Sequence, residues 1–169
     1  MAENLRIARL YFVLLAIFAV ARFAQGAMDV EYAKAHHVFS IFILTVMASV
    51  YYAAFCRRWR GIRILRAMGL GAMLGFIAQV VIFAATVLSY LLGIDTFFNN
   101  PTALNQTSPE AIPMARAIAI RAPALLIFPI INAIVAAIGW ALGDLLPETA
   151  AARVPVLSPG QTVTPRVVG

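Results

Sequence analysis

Long stretches almost free of charge alternate with short polar breaks along this chain, and that alternation predicts its architecture. Residues 10–21, 38–56, 67–93 and 122–143 contain no Asp, Glu, Lys or Arg. A run of about 20 apolar residues matches the ~30 Å hydrocarbon core of a bilayer. Backbone groups inside that core must be satisfied within the segment, so such runs are helices. The pattern therefore predicts an all-α integral membrane protein with four transmembrane helices at about 9–26, 38–56, 67–93 and 117–146. Short connections favour an up-down-up-down bundle. The third span has 27 residues. That is about 40 Å of helix, so it must tilt or protrude.

The breaks carry the polar information. Residues 94–116 form an extracytoplasmic loop rich in Asn, Thr and Pro, longer than most connections in a compact protein. Ser108, Pro109 and Glu110 have the order of a helix start: cap, first-turn proline, carboxylate at the positive dipole end. Pro123 and Pro129 each remove a backbone donor, and a break at Pro129 is expected. Residues 147–169 hold four prolines and read as an unstructured cytoplasmic tail. Arg6 and Arg9 before residues 10–21 outline a signal peptide, but three further spans follow, so a retained anchor is expected.

Charge then orients the bundle. Arg57, Arg58, Arg60, Arg63 and Arg66 lie between the second and third spans, and short Lys/Arg-rich loops stay cytoplasmic. Of thirteen cations, Arg6, Arg9, these five, Arg153 and Arg166 fall on one side, and Arg22, Lys34, Arg116 and Arg121 on the other. Both termini are expected in the cytoplasm, the protein residing in the cell membrane as a multi-pass protein of bacterial inner-membrane type. At 63% hydrophobic and 12% charged, the chain is far from soluble composition. Topology accounts for the net charge of +6, and no nucleic-acid partner is expected. The knot faces anionic lipid headgroups.

Candidate chemistry is sparse. His36 and His37, the two histidines, sit where an axial ligand for haem or a chlorin would stand. Neighbouring helical residues diverge by about 100°, so at most one serves, and interfacial hydrogen bonding is the ordinary role of such a pair. Arg22, Gln25, Arg116 and Arg121 gather at the extracytoplasmic end, as an anion, quinone or partner site or as ion pairs tying helix ends. Gln79 and Asn132 fall at mid-depth, where they form a polar path or, more commonly, interhelical hydrogen bonds. Gly71-x-x-x-Gly75 marks a close helix contact, within the bundle or with another subunit. One cysteine, Cys56, rules out an intrachain disulfide and a cysteine metal cluster. No metal site, required cofactor, nucleotide motif or catalytic motif is present.

These readings favour a non-enzymatic accessory subunit packing against protein partners in a membrane complex. The alternatives are a haem- or chlorin-binding module using His36 or His37, and a small transporter or channel using Gln79 and Asn132.

Overall fold

The structure is a computed structural model describing residues 8–106 and 110–146. Ser108, Pro109, Arg6, Arg153, Arg166 and the 147–169 tail lie outside the described residues. Those described are helical, with no strand among them. The helices are α1 (Arg9–Ala27), α2 (Tyr32–Ala35), α3 (Ile41–Arg60), α4 (Ile64–Leu92), α5 (Met114–Arg121) and α6 (Ala124–Leu142), with 3-10 turns at Thr102–Leu104 and Gly143–Leu145. Arg9–Ala27, Ile41–Arg60, Ile64–Leu92 and Met114–Leu145 are each long and apolar enough to cross a membrane.

Local chemistry sets the ends. Ser40 caps α3 by accepting the Ile43 N–H at 3.4 Å, and the helix begins at Ile41, three residues after the expected start. The delay has a backbone cause: Phe39 has φ 53, left-handed and incompatible with helix. Gly61 and Gly93, at φ 60 and 65, end α3 and α4 where a side chain would be strained. The fourth span also departs from expectation. It begins at Met114 behind Pro113, and Glu110 precedes it in non-helical chain. Its interruption falls at Ala122-Pro123, not at Pro129, over which α6 continues. A proline in a membrane helix is tolerated when packing holds the helix on either side, and α6 packs against both α3 and α4.

Helices α3, α4 and α6 form the tight core, with α4 against α6 the most extensive contact. Small residues allow it. A side chain at Gly71 would overlap the Asn132 carbonyl and the Ala136 methyl, and one at Gly75 would meet Phe128 O at 2.9 Å. On the other side of α6, Gly139 admits the Val50 backbone of α3. The Gly71-x-x-x-Gly75 face is therefore occupied inside the bundle.

Helix α1 stands apart: 11% of its span is buried, against 44% for α3. Near its start it is attached by Tyr11, fully buried, whose hydroxyl lies 3.0 Å from Thr45 Oγ1 and donates to Leu74 O at 3.2 Å. Thr45 in turn bonds Ile41 O at 2.6 Å. Tyr11→Phe keeps the ring and removes these bonds. It is expected to cost about 1 kcal/mol and to speed amide exchange in α1 more than in α6, as hydrogen-exchange mass spectrometry in detergent would register.

Residues 94–106 of the long loop are folded rather than loose. Thr96 Oγ1 lies 2.7 Å from Ser89 Oγ and accepts the Phe98 N–H at 3.1 Å, while Asn99 Oδ1 accepts the Thr96 N–H at 2.7 Å. Phe97, Phe98 and Leu104 are buried beneath it. Gly26 at the end of α1 lets the Thr96-Phe97 backbone pass over it without a side chain in the way. Tyr90 at the end of α4 donates to Ile112 O at 2.8 Å and pins the approach to α5.

Candidate functional site

At the loop-bearing end, the packing leaves a cavity of about 170 Å³. Arg22 enters from α1, Tyr32 from α2, Gln79 from α4 and Arg121 from the last residue of α5. Ser40 and Phe42 supply the side at the start of α3, and the loop contributes Phe97 and Phe98. Two guanidinium groups thus share one small space.

Each is held by the chain around it. Arg22 donates to His36 O at 3.0 Å and to Tyr32 Oη at 3.4 Å, and lies 5.5 Å from the centre of the Phe97 ring. Arg121 donates to Phe98 O at 3.1 Å, while its Nε is buried without a partner. The arginines therefore fasten the α1–α3 connection and the long loop to the helices. No carboxylate comes within 4.0 Å of either among the described residues; Lys34–Glu31 and Arg57–Asp144 pair elsewhere.

The other two members of the expected outer cluster do not join this cavity. Arg116 is exposed and donates to Gln106 Oε1 at 2.9 Å. Gln25 sits one turn beyond Arg22 with its amide oxygen buried and unpartnered. Tyr32, Ser40 and Phe97 escaped the sequence reading because they come from a short helix, a cap and a loop, which have no periodicity. Tyr32 carried the one local sign, an aromatic hydroxyl in the polar connection next to the two histidines.

His36 and His37 lie in a turn rather than on a helix, so their rings approach to 3.6 Å instead of diverging. His36 Nδ1 is 3.0 Å from Ala33 O, and its ring stacks on Tyr32. Neither ring lines the two-arginine cavity. No group of three or more metal-ligating His, Cys, Asp or Glu occurs among the described residues.

Gln79 and Asn132 are separated in role. Asn132 is fully buried, accepts from Ser49 Oγ at 2.9 Å and donates to Phe128 O at 3.0 Å, joining α3 to α6. Gln79 faces the cavity instead. A double-mutant cycle of Ser49→Ala and Asn132→Leu, followed by unfolding in mixed micelles, is expected to give a coupling of about 0.6 kcal/mol, typical for such bonds between membrane helices.

The basic knot divides as well. Arg57 reaches across to the end of α6, donating to Trp140 O at 3.0 Å, pairing with Asp144 and stacking 3.9 Å from the Trp140 ring centre. Trp140 Nε1 donates to Ile62 O at 2.7 Å, closing the same corner. Arg60, Arg63 and Arg66 are exposed around an open cleft of about 480 Å³. Cys56 is buried beside them.

Comparison with protein families, with curated proteins and with solved structures finds no match to this chain.

Proposed function

We propose that the chain is a non-enzymatic, multi-pass protein of the cell membrane, of bacterial inner-membrane type, that packs as an accessory subunit in a larger membrane complex. Its spans run up-down-up-down, residues 1–146 forming one transmembrane domain, with the arginine knot, both termini and the 147–169 tail in the cytoplasm. The exposed Arg60, Arg63 and Arg66 at the α3–α4 turn favour that orientation. On it, the two-arginine cavity faces the extracytoplasmic side.

One observation carries the reading. Apart from Gln79, which faces the cavity, the buried polar side chains at the centre of the bundle engage one another or backbone, as Tyr11 with Thr45 and Ser49 with Asn132 do, so the interior acts as a scaffold. The outward faces are broad and apolar. Ile127, Ile130, Ile134 and Ile138 on α6 are 54%, 61%, 54% and 55% exposed along one helix. Such β-branched side chains are stiff and lose little freedom against a neighbouring helix, which suits them to a protein contact as well as to lipid.

A photoreactive residue placed at Ile130 in intact membranes tests the proposal. The expected product is one adduct of discrete mass containing a second protein. Lipid adducts alone, together with a monodisperse monomer after purification in mild detergent, would overturn it. An absorption spectrum of the same preparation serves the haem or chlorin alternative, for which a Soret or chlorin band lost in His36→Ala or His37→Ala would be required.

A further inference from the structure

We infer that the cavity between Arg22 and Arg121 is a binding site for a phosphate group, carried on a lipid headgroup or free in solution. The cavity has an excess of positive charge, and no carboxylate stands in its described lining. Arg22 and Arg121 both line it, and no carboxylate pairs with either among the described residues. Charges held away from bulk water are costly unless paired, and those at membrane depth seek partners.

The hydrogen bonds already made leave capacity over. A guanidinium has five N–H donors. Arg121 uses one terminal nitrogen on Phe98 O and keeps the other unbonded and accessible; Arg22 uses its two terminal nitrogens on His36 O and Tyr32 Oη. Those bonds hold both groups in place, so little order has to be imposed on binding.

The remaining polar lining also donates. Tyr32 Oη accepts from Arg22, and Ser40 Oγ accepts from the Ile43 N–H, so each hydroxyl retains a hydrogen to give. Gln79 adds an amide NH₂. Two cations and three neutral donor groups around one space suit a tetrahedral anion with several acceptor oxygens better than a two-oxygen carboxylate. Guanidinium also matches phosphate geometry bidentately. Phe42, 53% exposed, lines the cavity and offers apolar surface to an acyl chain beside the head.

The test uses purified, delipidated full-length protein in maltoside, with three probes: a short-chain phosphatidylglycerol, the diacylglycerol with the same chains and no phosphate, and inorganic phosphate. Thermal midpoint and native mass spectrometry report binding. The wild type is expected to be stabilised by a phosphate-bearing probe and not by the diacylglycerol. Response to phosphatidylglycerol alone identifies a headgroup site, and an equal response to inorganic phosphate identifies a free-anion site. Arg121→Gln is expected to weaken binding at least about tenfold, the scale of one charge-assisted bond. Ala103→Phe leaves both arginines in place, fills the cavity that Ala103 lines, and is expected to abolish the response. It decides the matter if Arg121→Gln fails to fold. Lack of response to both phosphate probes overturns the inference. So does a response undiminished in Ala103→Phe, which would move binding to the cleft at Arg60. The inference stands or falls separately from the subunit proposal, since a lone monomer can still hold phosphate.

Discussion

Gly71→Leu is expected to separate α4 from α6 and to abolish the folded bundle. The position has no room: a Cβ there would overlap the carbonyl of Asn132 and the methyl of Ala136, which belong to the helix α4 packs against most extensively. Backbone and a Cβ cannot rotate away as the tip of a long side chain can, so the helices must move apart. Overpacking a well-filled interior costs about 1–3 kcal/mol, and an added isobutyl group against backbone lies at or above the top of that range. Displacing α6 also pulls Asn132 away from Ser49, adding the loss of that bond. Gly69→Leu is the matched control, because nothing lies within 4 Å of a Cβ at Gly69. Detergent-denaturation curves should show the Gly69 variant close to wild type and the Gly71 variant without a cooperative transition. Equal curves would refute the packing described for α4 and α6.

Arg57→Ala should produce the second largest loss, about 2 kcal/mol. The side chain comes from the end of α3 and caps the end of α6, where unsatisfied carbonyls concentrate negative dipole charge. It bonds Trp140 O, pairs with Asp144 and lies over the Trp140 ring. Much of that survives in no conservative variant. Arg57→Lys retains the charge, and with it any topological bias, but lacks the planar fork that bonds and stacks at once, so most of the loss should persist. Arg66→Ala removes an exposed cation from the same turn and should leave the unfolding midpoint nearly unchanged. If Arg57→Ala and Arg66→Ala behave alike, the corner at Trp140 is not a structural clamp.

The spans were legible because the signal for them is local. An apolar run of the right length has one low-energy form in hydrocarbon, whatever its neighbours. Helix ends were less so. The start at Ser40 depended on Phe39 adopting a left-handed backbone, which no propensity of phenylalanine announces. Proline position misled for a related reason. Pro129 and Pro123 remove the same donor, but Pro123 stands between the short α5 and the core, whereas Pro129 lies inside α6, the helix packed against both α3 and α4. Among candidate site residues, Arg22 and Arg121 could be grouped by depth alone, since both fall at the loop-bearing end. Their companions could not, because Tyr32, Ser40 and Phe97 reach the cavity through chain reversals whose direction depends on Gly26 and on the hydrogen bonds of Thr96.

Sequence by itself determined that this chain makes four long apolar helices, where the breaks between them lie and that cations concentrate at the α3–α4 turn. Each follows from residue type and order along the chain, because length and apolarity act segment by segment. Tertiary structure alone decided that Gly71 and Gly75 face α6, that Asn132 meets Ser49 while Gln79 does not meet Asn132, that Arg57 clamps while Arg66 stays exposed, and that Arg22 and Arg121 close on one cavity. All of these depend on how each helix is rotated about its axis and which helix stands beside it. In a chain whose apolar faces run nearly all the way round, no hydrophobic stripe specifies that rotation; close contact of small residues does.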